Sequence, residues 1–441
     1  MLRHLKRFIP KFLLSAYHRS LALLASTVYR SPSEKLIVIG VTGTSGKSTV
    51  VYLVAKLLER AGFRVGAAST ILFKVADREW QNDTKMTMPG RFSLQRLISQ
   101  MVRVNCQYAI IETSSQGIEQ FRHLGINYDV AVFTNLYPEH LEAHGGFEHY
   151  KAAKLKLFAK LKTDRPKLIA NRRIPKVMIA NADDEHSADV LQYPADEKFV
   201  FTATGAAAKD AQTVTAHDVV QSGAGMSFTI DSTPFHLKLL GSHNLSNALG
   251  AIAVGRSQGL TLTSIAALLA AVGGVPGRLE FIDEGQPFTI IVDYAFEPKA
   301  VESLYAVVKL LPHRQVIHVL GSAGGGRDRS RRPVLGELAG RNADYVIITN
   351  EDPYDDDPQQ IINEVAAGAL AAGKKLGKTA FKIMDRRKAI AKALRLAMPN
   401  DIVLITGKGS EQAIVVKNNK KVRWDDRQVV REELKKVVGN L

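Results

Sequence analysis

Cysteine is almost missing from this chain: Cys106 is the one thiol among 441 residues. That count excludes a disulfide framework and any zinc site built from several cysteines, and it suits a reducing compartment. Cys106 opens an apolar run and reads as a small core residue. Acidic residues are also short, 43 Asp and Glu against 59 Lys and Arg, leaving a formal net charge of +16. Such a surplus invites a nucleic-acid reading, but no aromatic-rich basic module accompanies it, so that class is set aside. Tandem repeats and low-complexity tracts are lacking too. What is plentiful is core material. At 46% hydrophobic residues the chain is globular, and a length prior of about 150 residues per domain divides it into two or three domains.

Part of the positive charge is concentrated. Residues 1–35 hold Arg3, Lys6, Arg7, Lys11, Arg19, Arg30 and Lys35 against Glu34 alone, while Leu13, Tyr17, Leu21, Leu24 and Val28 recur at helix spacing. The result is a basic amphipathic helix. His18 and Arg19 break its apolar run, so it neither spans a bilayer nor reads as a signal peptide. Two readings stay open: a helix docked on the next domain through that stripe, or peripheral attachment to the anionic inner face of a membrane.

The most informative stretch is Gly43-Thr44-Ser45-Gly46-Lys47-Ser48-Thr49. It follows the buried-strand pattern Leu36-Ile37-Val38-Ile39 and opens a helical pattern carrying Val50, Val54, Leu57 and Leu58. Strand, glycine turn and helix are what a phosphate-binding loop requires. Glycines let backbone N–H groups crowd an anion, the helix start adds partial positive charge, and Lys47 supplies a full one. Ser48 then stands where a hydroxyl can hold Mg²⁺ against the phosphates. One departure is visible, since Val41 stands where the general pattern has its first glycine. A bare helix-starting turn would explain Gly43 and Gly46 but not Lys47-Ser48-Thr49. The stretch is read as an ATP site.

Beyond it, strand and helix patterns alternate, which argues for parallel sheets with crossover helices. Strands are expected near 106–112, 130–134 and 177–180, then a short antiparallel patch over 198–240 and a helix from Asn244 to Ser257. Gly273-Gly274-Val275-Pro276-Gly277 reads as a hinge. A second α/β set follows, with strands at 288–293, 315–320, 345–349, 380–384 and 401–406. Chemistry gathers at strand ends, where open α/β sheets place ligands. Glu112 ends a strand and can ligate a metal, His140 lies just past another, and Lys154 sits in a helical stretch. Taken singly, these are equally an ordinary strand-end acid, a solvated loop histidine and one lysine among several.

Together their order and wording resemble the Mur ligases, most closely the UDP-N-acetylmuramoyl-tripeptide synthetase branch. The phrases that carry the resemblance are Gly43 to Thr49, Glu112-Thr113-Ser114-Ser115, Asn135 through His144, Tyr150-Lys151-Ala152-Ala153-Lys154, Gly241 to Asn247 and Gly277-Arg278-Leu279-Glu280. Asp293-Tyr294-Ala295, Gly325-Gly326-Arg327-Asp328 and Gly407-Lys408-Gly409-Ser410-Glu411 complete them. The likeness runs over about residues 36–441.

That resemblance implies a cytoplasmic ATP-dependent amide-bond ligase of peptidoglycan synthesis, in which a substrate carboxylate is phosphorylated and an amino acid's amine attacks the acyl phosphate. It implies nucleotide contacts at Gly43, Thr44, Ser45, Gly46, Lys47, Ser48, Thr49, Asn244, Arg278 and Asp293. It implies two Mg²⁺ ions, held by Ser48 and by Glu112 with His140, and a CO₂-derived carbamate on Lys154. Thr87, Ser114, Gln120 and Arg122 match positions that hold the muramoyl-dipeptide, and Arg327 and Glu411 match positions that grip the incoming amino acid. The implied fold is a P-loop α/β domain at 36–276 and a Rossmann-like domain at 277–441, monomeric, with the active site in the cleft between them. Residues 1–35 are expected to precede these as the basic helix.

Four departures stand out. About 35 residues precede the first strand, where the tripeptide synthetases carry a uridine-binding domain. Phe296 and Gln116 replace family histidines. Tyr354, in Asn350-Glu351-Asp352-Pro353-Tyr354, stands where an arginine reads diaminopimelate. Rival readings are a folylpolyglutamate-synthase-like ligase, a lipid-linked amidotransferase subunit and a non-catalytic ATP-binding scaffold. The second usually carries a four-cysteine zinc insert, and the intact Lys47, Glu112, His140 and Lys154 argue against the third.

Overall fold

The computed structural model describes residues 11–139 and 144–438. It divides into two compact units. The first runs to Val220 and adds Met226–Leu237 and His243–Val272; the second gathers Gln221–Gly225, Lys238–Ser242 and the chain from Gly273 onward.

In the first unit, strands β1 (Ile37–Thr42), β2 (Val65–Ala68), β3 (Leu72–Val75), β4 (Arg78–Gln81), β5 (Tyr108–Glu112) and β6 (Val130–Phe133) join β9 (Val177–Asn181), β10 (Glu197–Thr202) and β11 (Gln212–Thr215). They form one nine-stranded sheet in the order β11-β10-β9-β6-β1-β5-β2-β3-β4. A small hairpin, β7 (Lys167–Ile169) with β8 (Arg172–Ile174), stands apart. The six pairings from β11 to β2 are parallel, and only β3 and β4 turn antiparallel at the other edge. Helices Arg91–Arg103 and Phe147–Thr163 bury Leu94, Ile98, Leu157 and Phe158 in a core shared with Val38, Ala109 and Ala131 of the strands.

The register explains why the site forms. Central strand β1 lies between β5 and β6, with Val41 opposite Glu112 and Thr42 opposite Phe133. The loops leaving these three strands therefore emerge side by side at the carboxyl edge of the sheet, where such sheets place ligands. The neighbouring start of the sheet is pinned by a buried charge network. Asp129 accepts from Lys167 Nζ at 2.5 Å, Lys176 Nζ at 3.1 Å and the Val38 N–H at 2.9 Å.

The expected antiparallel patch over 198–240 holds only in part. Residues 197–202 and 212–215 pair in parallel with the main sheet, β10 against β9 and β11 against β10. The antiparallel character belongs to the separate sheet of β12 (His217–Ser222), β13 (Gly225–Ile230) and β14 (Thr233–Leu237).

The second unit has a six-stranded sheet of β15 (Glu280–Ile282), β16 (Thr289–Asp293), β17 (Val316–Leu320), β18 (Tyr345–Thr349), β19 (Ala380–Ile383) and β20 (Ile402–Thr406). Its order is β15-β16-β20-β17-β18-β19, parallel apart from β15. Strands such as Ile402-Val403-Leu404-Ile405-Thr406 are apolar throughout because helices cover both faces, giving one core on each side. A two-stranded hairpin, β21 (Ala413–Val416) with β22 (Lys420–Arg423), and a helix from Asp426 to Val438 complete the unit.

The amphipathic N-terminal segment forms a helix over Lys11–Val28; its first ten residues lie outside the described ones. The face on which it docks corrects the docking expectation. Ala22, Ala25 and Ser26 are buried and Leu21 is half-buried, whereas Leu13, Tyr17, Leu24 and Val28 face outward. Small residues face inward because the approach is close: a Cβ at Gly125 would lie 2.7 Å from the Ser26 Cβ. The Ser26 hydroxyl donates to the Gly125 carbonyl at 3.2 Å.

Candidate active site

The phosphate-loop sequence occupies the turn from β1 into the helix Lys47–Arg60, with Gly46 in the left-handed region as the helix N-cap. Two glycines are required here. A Cβ on Gly43 would lie 1.9 Å from Thr134 Oγ1, and one on Gly46 would lie 2.1 Å from Asn247 Oδ1. Neighbouring loops fix the turn from outside. Asn135 accepts the Thr44 N–H on its carbonyl and the Ser45 N–H on its side chain, each at 2.9 Å. Thr134 Oγ1 donates to the Ser45 carbonyl at 2.7 Å, and Tyr150 OH to Thr44 Oγ1 at 3.1 Å. Lys47 Nζ folds back onto the Thr44 carbonyl at 2.7 Å.

Glu112 ends β5 and is buried. One oxygen, Oε2, accepts both the Ser48 hydroxyl at 2.8 Å and the Thr70 N–H at 2.7 Å. Thr70 in turn donates its hydroxyl to Thr87 at 3.0 Å. A continuous chain thus leads from the phosphate-loop serine through Glu112 and Thr70 to Thr87. No set of three or more His, Cys, Asp or Glu side chains converges among the described residues. Mg²⁺ needs no such set, because it takes hard oxygen ligands and fills its octahedron with phosphates and water. The Ser48 hydroxyl and Glu112 carboxylate suit it. His140 lies outside the described residues.

Lys154, on the helix Phe147–Thr163, is buried with its ammonium nitrogen 2.5 Å from the Gly43 carbonyl and 4.3 Å from the centre of the Tyr150 ring. Burial, then the nearby charge of Lys47, lowers its pKa well below the ordinary lysine value. A buried amine biased toward its neutral form has a free lone pair. The solvated-face alternative fails for this lysine.

Thr87, Ser114, Gln120 and Arg122 fall in the same unit. Ser114 caps the short helix Ser115–Glu119, accepting the Gly117 N–H. Arg122 donates to Gln120 Oε1 at 2.7 Å and to the Met88 carbonyl, and Arg91 donates to the Gln120 carbonyl. Burial first and the Arg91 guanidinium second lower the Arg122 pKa, so two cations crowd one spot. Asn244 is buried and accepts from Asn247 at 3.2 Å. Gln116, standing for a family histidine, is exposed.

The remaining expected residues belong to the second unit: Asp293, Arg327 and Glu411 lie at or after the carboxyl ends of strands, and Arg278 precedes antiparallel β15 beside the end of β16. Arg278 stacks 4.0 Å from the centre of the Tyr294 ring. Asp293 closes the turn beside it, accepting the Leu279 N–H at 2.6 Å and the Ala295 N–H at 2.7 Å. Lys408 Nζ joins Asp352 at 2.9 Å and Glu411 at 2.6 Å, and Tyr294 OH donates to Glu411 at 3.3 Å. Burial, then Glu411, raises the Tyr294 pKa. Arg327 is half-buried on the loop after β17. Phe296 packs edge-on against Tyr294 at 4.9 Å. Tyr354 backs Gly325, where a Cβ would meet its ring at 2.6 Å.

Sequence reading left Thr70, Thr134, Asn135, Tyr150, Asn247 and Asp352 out of the expected site, although four of them sit inside quoted motif phrases. Spacing carries no trace of Thr70, which arrives on the antiparallel edge of the sheet.

A phosphate loop at the carboxyl edge of a parallel sheet, joined through a buried carboxylate to a cationic rim, defines a nucleotide-dependent α/β enzyme. The Mur ligase middle domain matches residues 41–255, and the Mur ligase, glutamate ligase domain matches 277–409. The chain belongs to the Mur ligase family, and is an ATP-dependent, ADP-forming amide-bond ligase of peptidoglycan-precursor synthesis. It is 40% identical over 423 residues to a UDP-N-acetylmuramyl-tripeptide synthetase of Roseiflexus sp. (strain RS-1), covering 94% of this chain and 82% of that protein. It is 38% identical over 442 residues to the UDP-N-acetylmuramoyl-L-alanyl-D-glutamate–2,6-diaminopimelate ligase of Geobacillus kaustophilus (strain HTA426), covering 97% and 84%. A solved ligase bearing the latter name superposes with TM-score 0.61 at 29% identity, over 91% of this chain and 79% of that one. A Mycobacterium tuberculosis folylpolyglutamate synthase, at TM-score 0.65 but 16% identity over 91% and 97%, shares the fold.

Proposed function

We propose that this ligase adds an amino acid to a muramoyl-dipeptide precursor in the cytoplasm, acting as a monomer. The observation that carries the reading is the hydrogen-bonded chain Ser48–Glu112–Thr70–Thr87, which ties the phosphate-loop side to the side assigned to the dipeptide. The relatives named for tripeptide synthesis support the same substrate class.

The chemistry must bring a carboxylate against a triphosphate, two anions that repel. The phosphate-loop N–H groups and Lys47 hold the β- and γ-phosphates. Ser48 would hold one Mg²⁺ and Glu112 with His140 a second, and when bound these ions would neutralise phosphate charge. Arg122, beside Arg91 and oriented by Gln120, receives an anionic group of the dipeptide, with Thr87 and Ser114 positioning it. An acceptor carboxylate oxygen then attacks the γ-phosphorus, forming an acyl phosphate and releasing ADP. The amino acid's amine attacks the acyl carbon, phosphate leaves, and the nitrogen loses a proton. Arg327 and Glu411 are assigned to the carboxylate and ammonium of that amino acid, and Asn244, Arg278 and Asp293 to the nucleotide. Lys154, biased toward the neutral amine, adds CO₂ and loses a proton to become a carbamate, whose negative charge would support a bound metal.

An ADP-release screen tests the reading, crossing UDP-linked and lipid-linked muramoyl-dipeptide, and folate, with single amino acids. Release is expected only with a muramoyl-dipeptide and an amino acid together. Turnover with folate and glutamate alone would overturn it.

A further inference from the structure

The N-terminal helix docks by its small face and turns its large apolar side chains outward. Leu13, Tyr17, Leu24 and Val28 fall within one narrow sector of Lys11–Val28 and are each 49–59% exposed. Phe12 is 70% exposed on the same helix. Single exposed apolar residues would need no comment, but four large ones in one sector of a helix do.

Charge at the C-terminal end of the stripe narrows what covers it. Arg30 is exposed just after this helix, and Arg96 and Arg103 are exposed on the helix Arg91–Arg103 beneath it, while Arg19 is exposed on a different face. Tyr29, the residue after the stripe ends, joins Arg96, Ser99, Gln100 and Arg103 around a concavity. Residues 1–35 carry seven Lys and Arg against one Glu. An exposed apolar row that ends at a concavity of guanidiniums and hydroxyl or amide donors matches the acyl boundary and phosphates of an anionic lipid surface. A protein partner would need acidic groups placed around an apolar ridge; a membrane supplies both continuously. No described helix is long and apolar enough to cross a bilayer, so the helix would lie in the plane of the interface.

We propose that the helix Lys11–Val28 anchors this ligase to an anionic membrane surface, with Leu13, Tyr17, Leu24 and Val28 inserted and Arg96 and Arg103 on lipid phosphate. This stands independently of which amino acid the enzyme adds.

Flotation of the full chain with phosphatidylcholine vesicles, with and without phosphatidylglycerol, tests it at low and high salt. The chain is expected to float with the phosphatidylglycerol vesicles at low salt and less so at high salt. A Leu13→Ser/Tyr17→Ser/Leu24→Ser variant should lose at least about tenfold in partitioning, since apolar insertion scales with buried area. Arg96→Glu/Arg103→Glu should lose the preference for anionic lipid. All three altered stripe positions are exposed, so ADP-forming activity in solution should persist and report an intact fold. Three results would overturn the proposal: failure of the full chain to float, equal flotation of the stripe variant, or a dimer that the stripe variant dissolves, which would make the face an interface between copies.

Discussion

Replacing Lys154 by methionine isolates what its nitrogen does. The native amine is buried, donates to the Gly43 carbonyl at 2.5 Å and sits over Tyr150. Methionine keeps the apolar stem and removes the donor, which costs about 1 kcal/mol for one hydrogen bond. Part of that loss is offset because a desolvated amine is no longer buried, so the melting temperature should move by a few degrees at most, at about 2–4 °C per kcal/mol for domains of this size. Activity should behave differently. If the carbamate supplies negative charge to the metal, its loss removes one electrostatic stabiliser, and the rate of amide formation should fall at least about a hundredfold. The assay is initial-rate ADP release at saturating ATP, paired with thermal melts. Wild-type activity should also decline in CO₂-depleted buffer, and formate or acetate should partly restore Lys154→Ala but not wild type. Full activity of Lys154→Met, with a wild type indifferent to CO₂, would refute the carbamate and leave Lys154 a brace for the phosphate loop.

Other outcomes follow from the same geometry. Glu112→Gln keeps an acceptor for the Ser48 hydroxyl and the Thr70 N–H, so it should fold near-normally yet lose about a hundredfold in rate; Glu112→Ala strands both donors and should also cost about 1–3 kcal/mol for each in chemical denaturation. His123 and His318 are buried, and burial, followed by nearby lysines for the first and Arg386 for the second, lowers each pKa to about 3. The unfolded chain binds those protons near 6.5, so stability present above that pH should fall as pH drops from 6.5 toward 3. The slope approaches about 1.4 kcal/mol per pH unit for each histidine, and His318→Gln should flatten it in urea titrations. Gly277→Ala should be strongly destabilising, because φ is +64° and its Cβ would lie 2.1 Å from the Ser410 nitrogen; a normal melt for that variant would contradict the packing at this turn.

Local signals were legible where neighbouring residues decide the structure. The glycine turn, lysine and helix start are written in seven consecutive residues directly after an apolar strand, and the apolar strands of the second unit announce a sheet covered on both faces. Less was legible where the deciding partner is distant. The stretch 197–215 carries turn residues that suggest hairpins, yet it extends a parallel sheet because β9 offers a free edge. Strand β4, Arg78-Glu79-Trp80-Gln81, has no buried face to give it alternation, and with it the route by which Thr70 reaches Glu112 was hidden. For the N-terminal helix the periodicity was plain but its direction was not. Large apolar residues normally face inward; here the close approach of Gly125 selects Ala22, Ala25 and Ser26 instead. Lys154 looked like one of several surface lysines until burial set it apart.

The central claim is that an acceptor carboxylate is phosphorylated by ATP before the amide forms. Labelling that carboxylate of the muramoyl-dipeptide with ¹⁸O and analysing the released phosphate by mass spectrometry tests it most directly. The mechanism predicts one ¹⁸O atom transferred to inorganic phosphate for each amide bond made, with ADP as the other product. Phosphate free of label, or label recovered in AMP, would contradict it.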